Sequence, residues 1–157
     1  AQGHANAFGI SIPDGKLRDF HQYANEALKD VDFGENVYDV NFVRGADSKD
    51  LYDLVIDLAS QNGIWGQGNP EPIVCVEEIL CSPRSVRIMG SNQDTLKIEY
   101  NGMSYLKFRA KDLIEKINKY PADAQLSITV VGRCNLNEWG GRKTPQLFID
   151  DCEIKTI

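Results

Sequence analysis

An eleven-residue segment near the middle of the chain, residues 62–72, constrains the fold more than any other feature. Its sequence is Asn-Gly-Ile-Trp-Gly-Gln-Gly-Asn-Pro-Glu-Pro, with three glycines and two prolines. Glycine loses much conformational entropy when it is ordered, and proline lacks the backbone donor that helices and strands use. We therefore predict that no regular element crosses this segment and that it joins two modules, residues 1–61 and 73–157.

The residues before this segment have the pattern of a small α/β unit. Residues 7–12 and 37–43 have strand-like sequences, and residues 16–29 carry a helical stripe of apolar side chains. Ser48 is a suitable N-cap for a second helix. The predicted order is strand, helix, strand, helix.

The residues after the segment are rich in strands. We predict strands at about 73–80, 85–89, 95–100, 103–109, 125–134 and 145–154, with a helix at 111–119. One helix before the penultimate strand is the element order of an OB-fold, a five-stranded Greek-key barrel. The predicted fold class is α+β, a small α/β unit followed by an OB-fold β-barrel.

Composition narrows the class of protein. Hydrophobic residues make up 42% and charged residues 25%, as in globular proteins. No apolar run approaches the roughly 18 residues of a membrane span, and no signal peptide is visible, so we expect a cytoplasmic protein without a membrane partner. The four cysteines form no Cys-x-x-Cys pair, which favours buried, reduced thiols over zinc or disulfides.

The acidic charge lies in the first part of the chain. The net charge is −6, and residues 1–68 hold 5 Lys/Arg and 11 Asp/Glu, whereas residues 69–157 hold 12 of each. We expect the whole chain to attract nucleic acid weakly at long range. A local basic face on the second module is still compatible with binding.

Three stretches carry family motifs. They are Gly-His-Ala-Asn-Ala-Phe-Gly at 3–9, Gly-Gln-Gly-Asn-Pro-Glu-Pro at 66–72, and a third set made of Gly-Arg at 132–133, Asn-Glu-Trp-Gly-Gly-Arg at 137–142, Pro-Gln-Leu at 145–147 and Asp-Asp at 150–151. In this order they resemble the RecJ family, single-strand-specific exonucleases of the DHH phosphoesterase superfamily. Gln2 and Ile64-Trp65 depart from the family pattern, which has Gly and Pro-Phe there.

The resemblance implies the C-terminal part of a single-stranded-DNA-specific exonuclease that acts 5′→3′ in recombination and repair. Residues 1–61 would end the DHH-associated domain, 62–72 would be the junction, and 73–157 the OB-fold. The parent enzyme would use Mn²⁺ or Mg²⁺ held by an N-terminal DHH domain. No Asp-His-His occurs here, so this chain is expected to bind no metal and to be inactive alone. Gly3 and His4 would contact a substrate phosphate in the parent.

A single-stranded DNA surface is predicted on strands 95–100 and 104–109. If Leu96, Ile98, Leu106 and Phe108 face inward, period-two alternation turns the remaining side chains outward. The outward candidates are Lys97, Tyr105, Lys107 and Arg109. Cations beside an aromatic ring are typical of a single-strand platform. The alternative is an ordinary solvated strand face.

A second DNA contact is predicted in the loop at 137–144, where Trp139 would stack on a base while Arg142 and Lys143 meet phosphates. The alternative is a hairpin turned at Gly140-Gly141, with Trp139 packed on the barrel. Trp65 is interpreted as a core residue at the module junction.

A different class of function remains open. A stand-alone OB-fold adaptor would bind single-stranded DNA or a protein partner without catalysis. The lack of metal ligands favours the adaptor, whereas Gly3-His4 opposes it, because an adaptor needs no phosphate cleft.

Overall fold

The computed structural model describes residues 2–4, 7–31 and 37–157, with side chains from residue 10 onward. Two compact units are formed, residues 1–37 and 38–157. Within the described ranges, no helix has both the length and the apolar character that a membrane span requires.

The first unit contains a strand pair and a helix. Strand β1, Gln2–His4, pairs antiparallel with β2, Ala7–Gly9. Helix α1 spans Leu17–Leu28, where the sequence predicts a helix, and it buries no residue in the described part of the chain.

The second unit is built on one seven-stranded sheet of order β3-β4-β8-β9-β7-β6-β5. Its elements are β3 (Phe42–Gly45), α2 (Leu51–Ser60), β4 (Val74–Cys81), β5 (Arg87–Met89), β6 (Thr95–Tyr100), β7 (Met103–Lys107), α3 (Lys111–Asn118), β8 (Leu126–Trp139) and β9 (Arg142–Thr156). A short 3-10 turn, Pro83–Ser85, precedes β5.

Strands β4 to β9 form the predicted OB-fold. All their sheet pairings are antiparallel except that of β7 with β9, which is parallel. Helix α3 lies between β7 and β8 in the chain. This order, with a parallel pair joining two antiparallel groups, is that of a Greek-key barrel with one helix before its penultimate strand.

The core fills the barrel and continues under α2. Its fully buried side chains include Ile79, Ile98, Tyr105, Leu126 and Leu147. No charged side chain is buried among the described residues. The carboxylate, ammonium and guanidinium groups in this part of the chain therefore stay at least partly exposed, where they can meet a ligand.

Residues 38–61 pack with the barrel, which differs from the expected separation at the Gly/Pro segment. Strand β3 runs parallel to β4, with Phe42 opposite Val74. Leu51 and Val55 of α2 belong to the same core cluster as the barrel strands. Parallel neighbours need a crossover connection. Helix α2 and the Gly/Pro segment supply it, so this segment is a loop within one compact unit. The assignment of residues 1–61 to a DHH-associated domain stays a prediction.

Candidate nucleic-acid interface

The hairpin turn between β6 and β7 decides which side chains face outward. Asn101 and Gly102 form a two-residue turn with φ of +46° and +77°, a conformation that Asn-Gly adopts readily. The turn places Tyr100 opposite Met103, and therefore Lys97 opposite Leu106. Residues directly opposite each other on antiparallel strands share a face. Leu106 consequently lies on the face of Lys97.

One row of side chains crosses the outer face of five strands. Arg87 pairs with Lys97, Lys97 with Leu106, Leu106 with Phe148, and Phe148 with Arg133. We call these five residues the outer row. It has cations at both ends and apolar side chains in the middle. The neighbouring inner row, Ile98, Tyr105, Leu147 and Cys134, is buried throughout.

Phe148 of the outer row packs against a second aromatic ring, Phe108, which follows the end of β7. The rings of Phe108 and Phe148 meet edge to face, with centroids 5.2 Å apart and planes at 74°. Phe108 is 52% exposed, although the sequence predicted it inside. A half-exposed ring fixed by a second ring offers a base a stacking surface at little entropic cost.

The cations of the outer row are already paired. Glu99 lies 2.8 Å from Lys97 and 3.3 Å from Arg87. Arg133 lies 3.1 Å from Asp150 and 3.7 Å from Glu71. Three cations therefore face three carboxylates, so the row is close to neutral. Such exposed pairs contribute little to stability.

A β-bulge positions Arg133 and Phe148. Val131 pairs with Asp151 and Gly132 with Ile149, so Asp150 is an extra residue on β9. A Cβ on Gly132 would lie 2.1 Å from the Phe148 carbonyl oxygen, so the strands approach closely because this residue has no side chain. The motif residues Gly132-Arg133 and Asp150-Asp151 thus build one structural feature.

The expectation that Tyr105 faces outward is wrong. Its side chain is 0% exposed, because Tyr105 pairs with the inward Ile98. Burial raises the pKa of its phenol. Tyr105 is a core residue and cannot stack on a base in this fold.

The structure separates Lys107 and Arg109 from Lys97. The Lys107 ammonium donates to the Asp150 carbonyl and so supports the bulge. Arg109 follows the end of β7 with φ of +53°. Both line a cavity of about 260 Å³ together with Lys116. The four strand candidates therefore do not form one surface.

The predicted loop at 137–144 is a long hairpin. Strands β8 and β9 continue to Trp139 and from Arg142, around the turn Gly140-Gly141. Trp139 is 83% exposed. The loop is thus a hairpin, as the alternative interpretation predicted, but Trp139 does not pack on the barrel as that interpretation required. Lys143 is paired with Glu138 at 2.8 Å. Trp139 and Arg142 lie directly opposite each other at the tip.

The remaining candidates lie in the first unit. Gly3 and His4 belong to β1, where they pair with Phe8 and Ala7. The side chain of His4 lies outside the described part of the structure, so its role at a phosphate stays a prediction.

Beside the outer row lies a cavity of about 430 Å³ to which Trp65, Glu71, Arg133 and Phe148 contribute. Trp65 is half-buried rather than a full core residue. Burial raises the pKa of Glu71, an effect that Arg133 opposes.

Two buried cysteines of the barrel are disfavoured as thiolates. Burial raises the pKa of the Cys134 thiol to about 12 and that of Cys81 to about 11, and thiolates are the nucleophilic and metal-binding form. Over the described ranges, no cluster of three or more His, Cys, Asp or Glu side chains could hold a metal ion.

Sequence reasoning did not name Arg87, Phe108, Arg133 and Phe148 as candidates for the interface. A signal for them was present in the two-residue turns. When residues are paired outward from the Asn101-Gly102 turn, Leu106 falls opposite Lys97. Pairing outward from the Gly140-Gly141 turn likewise places Phe148 opposite Arg133. Apolar character alone had assigned Phe108 to the interior.

Comparison with known proteins agrees with this architecture. A single-strand DNA-specific exonuclease named YorK, attributed to the SPbeta prophage of Bacillus subtilis, is 26% identical over 155 residues, which is 98% of this chain and 26% of the relative. The single-stranded-DNA-specific exonuclease RecJ of the same organism is 30% identical, over 97% of this chain and 19% of its own length. The chain thus spans about a quarter or less of these relatives.

A solved structure and a family model support the same fold. The crystal structure of Thermus thermophilus RecJ in complex with Mn²⁺ aligns with 92% of this chain and 20% of its own, at 18% identity and a TM-score of 0.50. The model of the RecJ OB domain matches residues 47–151. That range includes α2 and the barrel strands up to the bulge, so the chain belongs to the RecJ OB domain family.

Proposed function

We propose that the outer row is a binding surface for single-stranded DNA. The observation that carries this proposal is the pair Phe108–Phe148, 5.2 Å apart, between Lys97 on one side and Arg133 on the other. Aromatic rings accept bases of any sequence, and cations on both sides follow the backbone. The outer faces of these strands are also where OB-folds bind oligonucleotides.

The hairpin tip extends this surface. Trp139 is exposed beside Arg142, a combination that can stack on a base and contact a phosphate. Because Arg87 and Lys97 exchange their shared partner Glu99 for phosphates, stacking contributes most of the affinity. The net charge of −6 fits this balance, since long-range attraction is weak.

At the level of the whole protein, we propose a cytoplasmic exonuclease that degrades single-stranded DNA from the 5′ end in recombination and repair. The relatives named as single-strand DNA-specific exonucleases support this. A separate N-terminal DHH domain would hold Mn²⁺ or Mg²⁺, which would supply the activated water for phosphodiester hydrolysis. This chain's role would be to bind the strand, with Gly3 and His4 at the substrate phosphate.

The first prediction separates stacking from charge on the outer row. Phe108→Ala should weaken binding of a fluorescent oligo-dT by about 1–3 kcal/mol and leave the salt dependence unchanged. If Arg87, Lys97 and Arg142 contact about three phosphates, the salt slope of the parent should be about −2, and Lys97→Ala should flatten it by about 0.7. Titrations at several salt concentrations measure both quantities.

Lys155→Ala is the matched control. Lys155 pairs with Glu153 at 3.0 Å, as Lys97 does with Glu99, but it lies opposite Ser127 near the end of β9. It should change neither affinity nor slope. If the Phe108 and Lys97 variants bind the oligonucleotide as tightly as the parent does, the outer row is not the DNA-binding surface. No binding even at low salt would favour a protein-docking role for the barrel.

The second prediction concerns catalysis. We expect the isolated chain to release no nucleotides from labelled single-stranded DNA in the presence of Mn²⁺, because the described residues offer no cluster for a metal ion. A RecJ enzyme with its DHH domain serves as the positive control. Metal-dependent release that follows the chain through successive purification steps would contradict this expectation.

A further inference from the structure

The cavity of about 430 Å³ at one end of the outer row has the composition of a nucleobase site. Its volume falls in the range of small-molecule pockets. It shares Phe148 and Arg133 with the outer row, so a strand bound along that row reaches it directly. The other lining residues used below are Asn62, Trp65, Glu71 and Asn135.

The loop that carries Trp65 is held in place before any ligand binds. Gly66 and Asn69 exchange backbone hydrogen bonds of 2.8 and 3.0 Å. The Asn69 side chain donates to the Ile64 carbonyl at 3.0 Å. These bonds bracket Trp65 and fix the turn around it. A loop whose backbone is already ordered loses little entropy when Trp65 binds a planar ligand.

The charges in and beside the cavity disfavour a phosphate. Arg133 is the cation there, and it already lies between Glu71 and Asp150. The local charge of these three groups is −1. A neutral ligand that donates hydrogen bonds to a carboxylate fits better. Arg133 lies 3.7 Å from Oε2 of Glu71, beyond hydrogen-bond distance, so both carboxylate oxygens can accept from such a ligand.

The amides can complete the recognition of a base edge. Gln146 donates to Oδ1 of Asn135 at 2.9 Å, which orients the Asn135 amide group with its nitrogen as a donor. Asn62 adds a second amide from the Gly/Pro segment. Aromatic rings, an accepting carboxylate and donating amides are the groups that read an unstacked base on its Watson–Crick edge.

We propose that this cavity binds one unstacked base of the DNA strand, with a preference for guanine. The base would stack on Trp65 and Phe148. Guanine presents two adjacent donors, N1–H and N2–H₂, to the Glu71 carboxylate, whereas thymine presents one and cytosine and adenine present an amino group alone. This inference rests on the proposed single-strand function and adds a base-specific site to a surface that otherwise accepts any sequence.

The test uses Trp65 as its own reporter. The chain has two tryptophans, and Trp139→Phe leaves Trp65 as the only one. Oligo-dT, the same oligonucleotide with one central dG, and dGMP alone are titrated against this variant. We expect the dG oligonucleotide to quench Trp65 fluorescence and to bind about tenfold more tightly than oligo-dT, a typical discrimination for a paired base contact.

Glu71→Gln should abolish the preference for dG, so that the dG oligonucleotide and oligo-dT bind this variant with equal affinity. Glu153→Gln is the matched control, because Glu153 is an exposed carboxylate on β9 that pairs with Lys155 outside the cavity. It should keep the preference.

The outcomes distinguish the two proposals. Oligonucleotides that bind through Lys97 and Phe108, without a dG preference or Trp65 quenching, overturn this inference and leave the proposed function standing. If no oligonucleotide binds at low salt, the proposed function fails. In that case the titration with dGMP alone tests the cavity. If millimolar dGMP does not quench Trp65 fluorescence, the base site is also refuted.

Discussion

Gly132→Ala is expected to destabilise the second unit by at least about 3 kcal/mol. A Cβ at this position would lie 2.1 Å from the Phe148 carbonyl oxygen and 2.9 Å from its carbon. Both are backbone atoms, so no side chain can rotate away, and β8 and β9 must separate at the bulge. Forced overpacking commonly costs about 1–3 kcal/mol, and a rigid backbone neighbour places this case at the upper end or above. Urea unfolding followed by circular dichroism measures the change.

Gly63→Ala is the control for this substitution. No atom lies within 4 Å of a Cβ built on Gly63, and its φ is not in the left-handed region. The control should unfold within about 0.5 kcal/mol of the parent, as surface substitutions usually do. A Gly132→Ala variant as stable as Gly63→Ala would show that the bulge relaxes freely. Any surviving folded Gly132→Ala protein should also bind DNA less well, because the bulge positions Phe148 and Arg133.

Tyr105→Ala is expected to lower the free energy of unfolding by about 3–5 kcal/mol, the usual result of truncating a buried aromatic side chain to alanine. Tyr105 is fully buried among the inner-row residues, and its removal leaves a cavity in the barrel centre. The same denaturant titrations measure the loss.

Tyr105→Phe separates packing from the hydroxyl group. In the part of the chain that the structure describes, the Tyr105 hydroxyl is buried without a hydrogen-bond partner. An unpaired buried hydroxyl is destabilising. The phenylalanine variant should therefore be at least as stable as the parent and should bind DNA unchanged. A large loss of stability in Tyr105→Phe would reveal a hydrogen bond to this hydroxyl.

The position of α3 and most strand boundaries of the barrel were predictable, because each has a local cause. Alternation with a period of two marks a half-buried strand, and the apolar stripe of α3 marks a helix. The predicted helix at 111–119 and strand at 95–100 agree with Lys111–Asn118 and Thr95–Tyr100. The family resemblance led independently to the same OB-fold.

The outward faces were predicted less well. Tyr105 and Leu106 are adjacent and both apolar, so alternation cannot decide which of them faces the core. The Asn101-Gly102 turn does decide it, because a two-residue turn fixes the register of the whole hairpin. Register was thus encoded in the sequence, but in a turn rather than in the strand pattern.

By itself, the sequence determined the local elements, the two tight hairpins and the registers that those turns impose. Tertiary structure alone decided the features that join distant segments. These are the parallel pairs β3–β4 and β7–β9, the contact of Phe108 with Phe148, and the placement of Trp65 beside Glu71 and Arg133. The physical reason is that a tight turn fixes the geometry of residues near it in the chain. A parallel pair forms only when helices and loops of many residues close, and burial of the whole core determines where those segments meet.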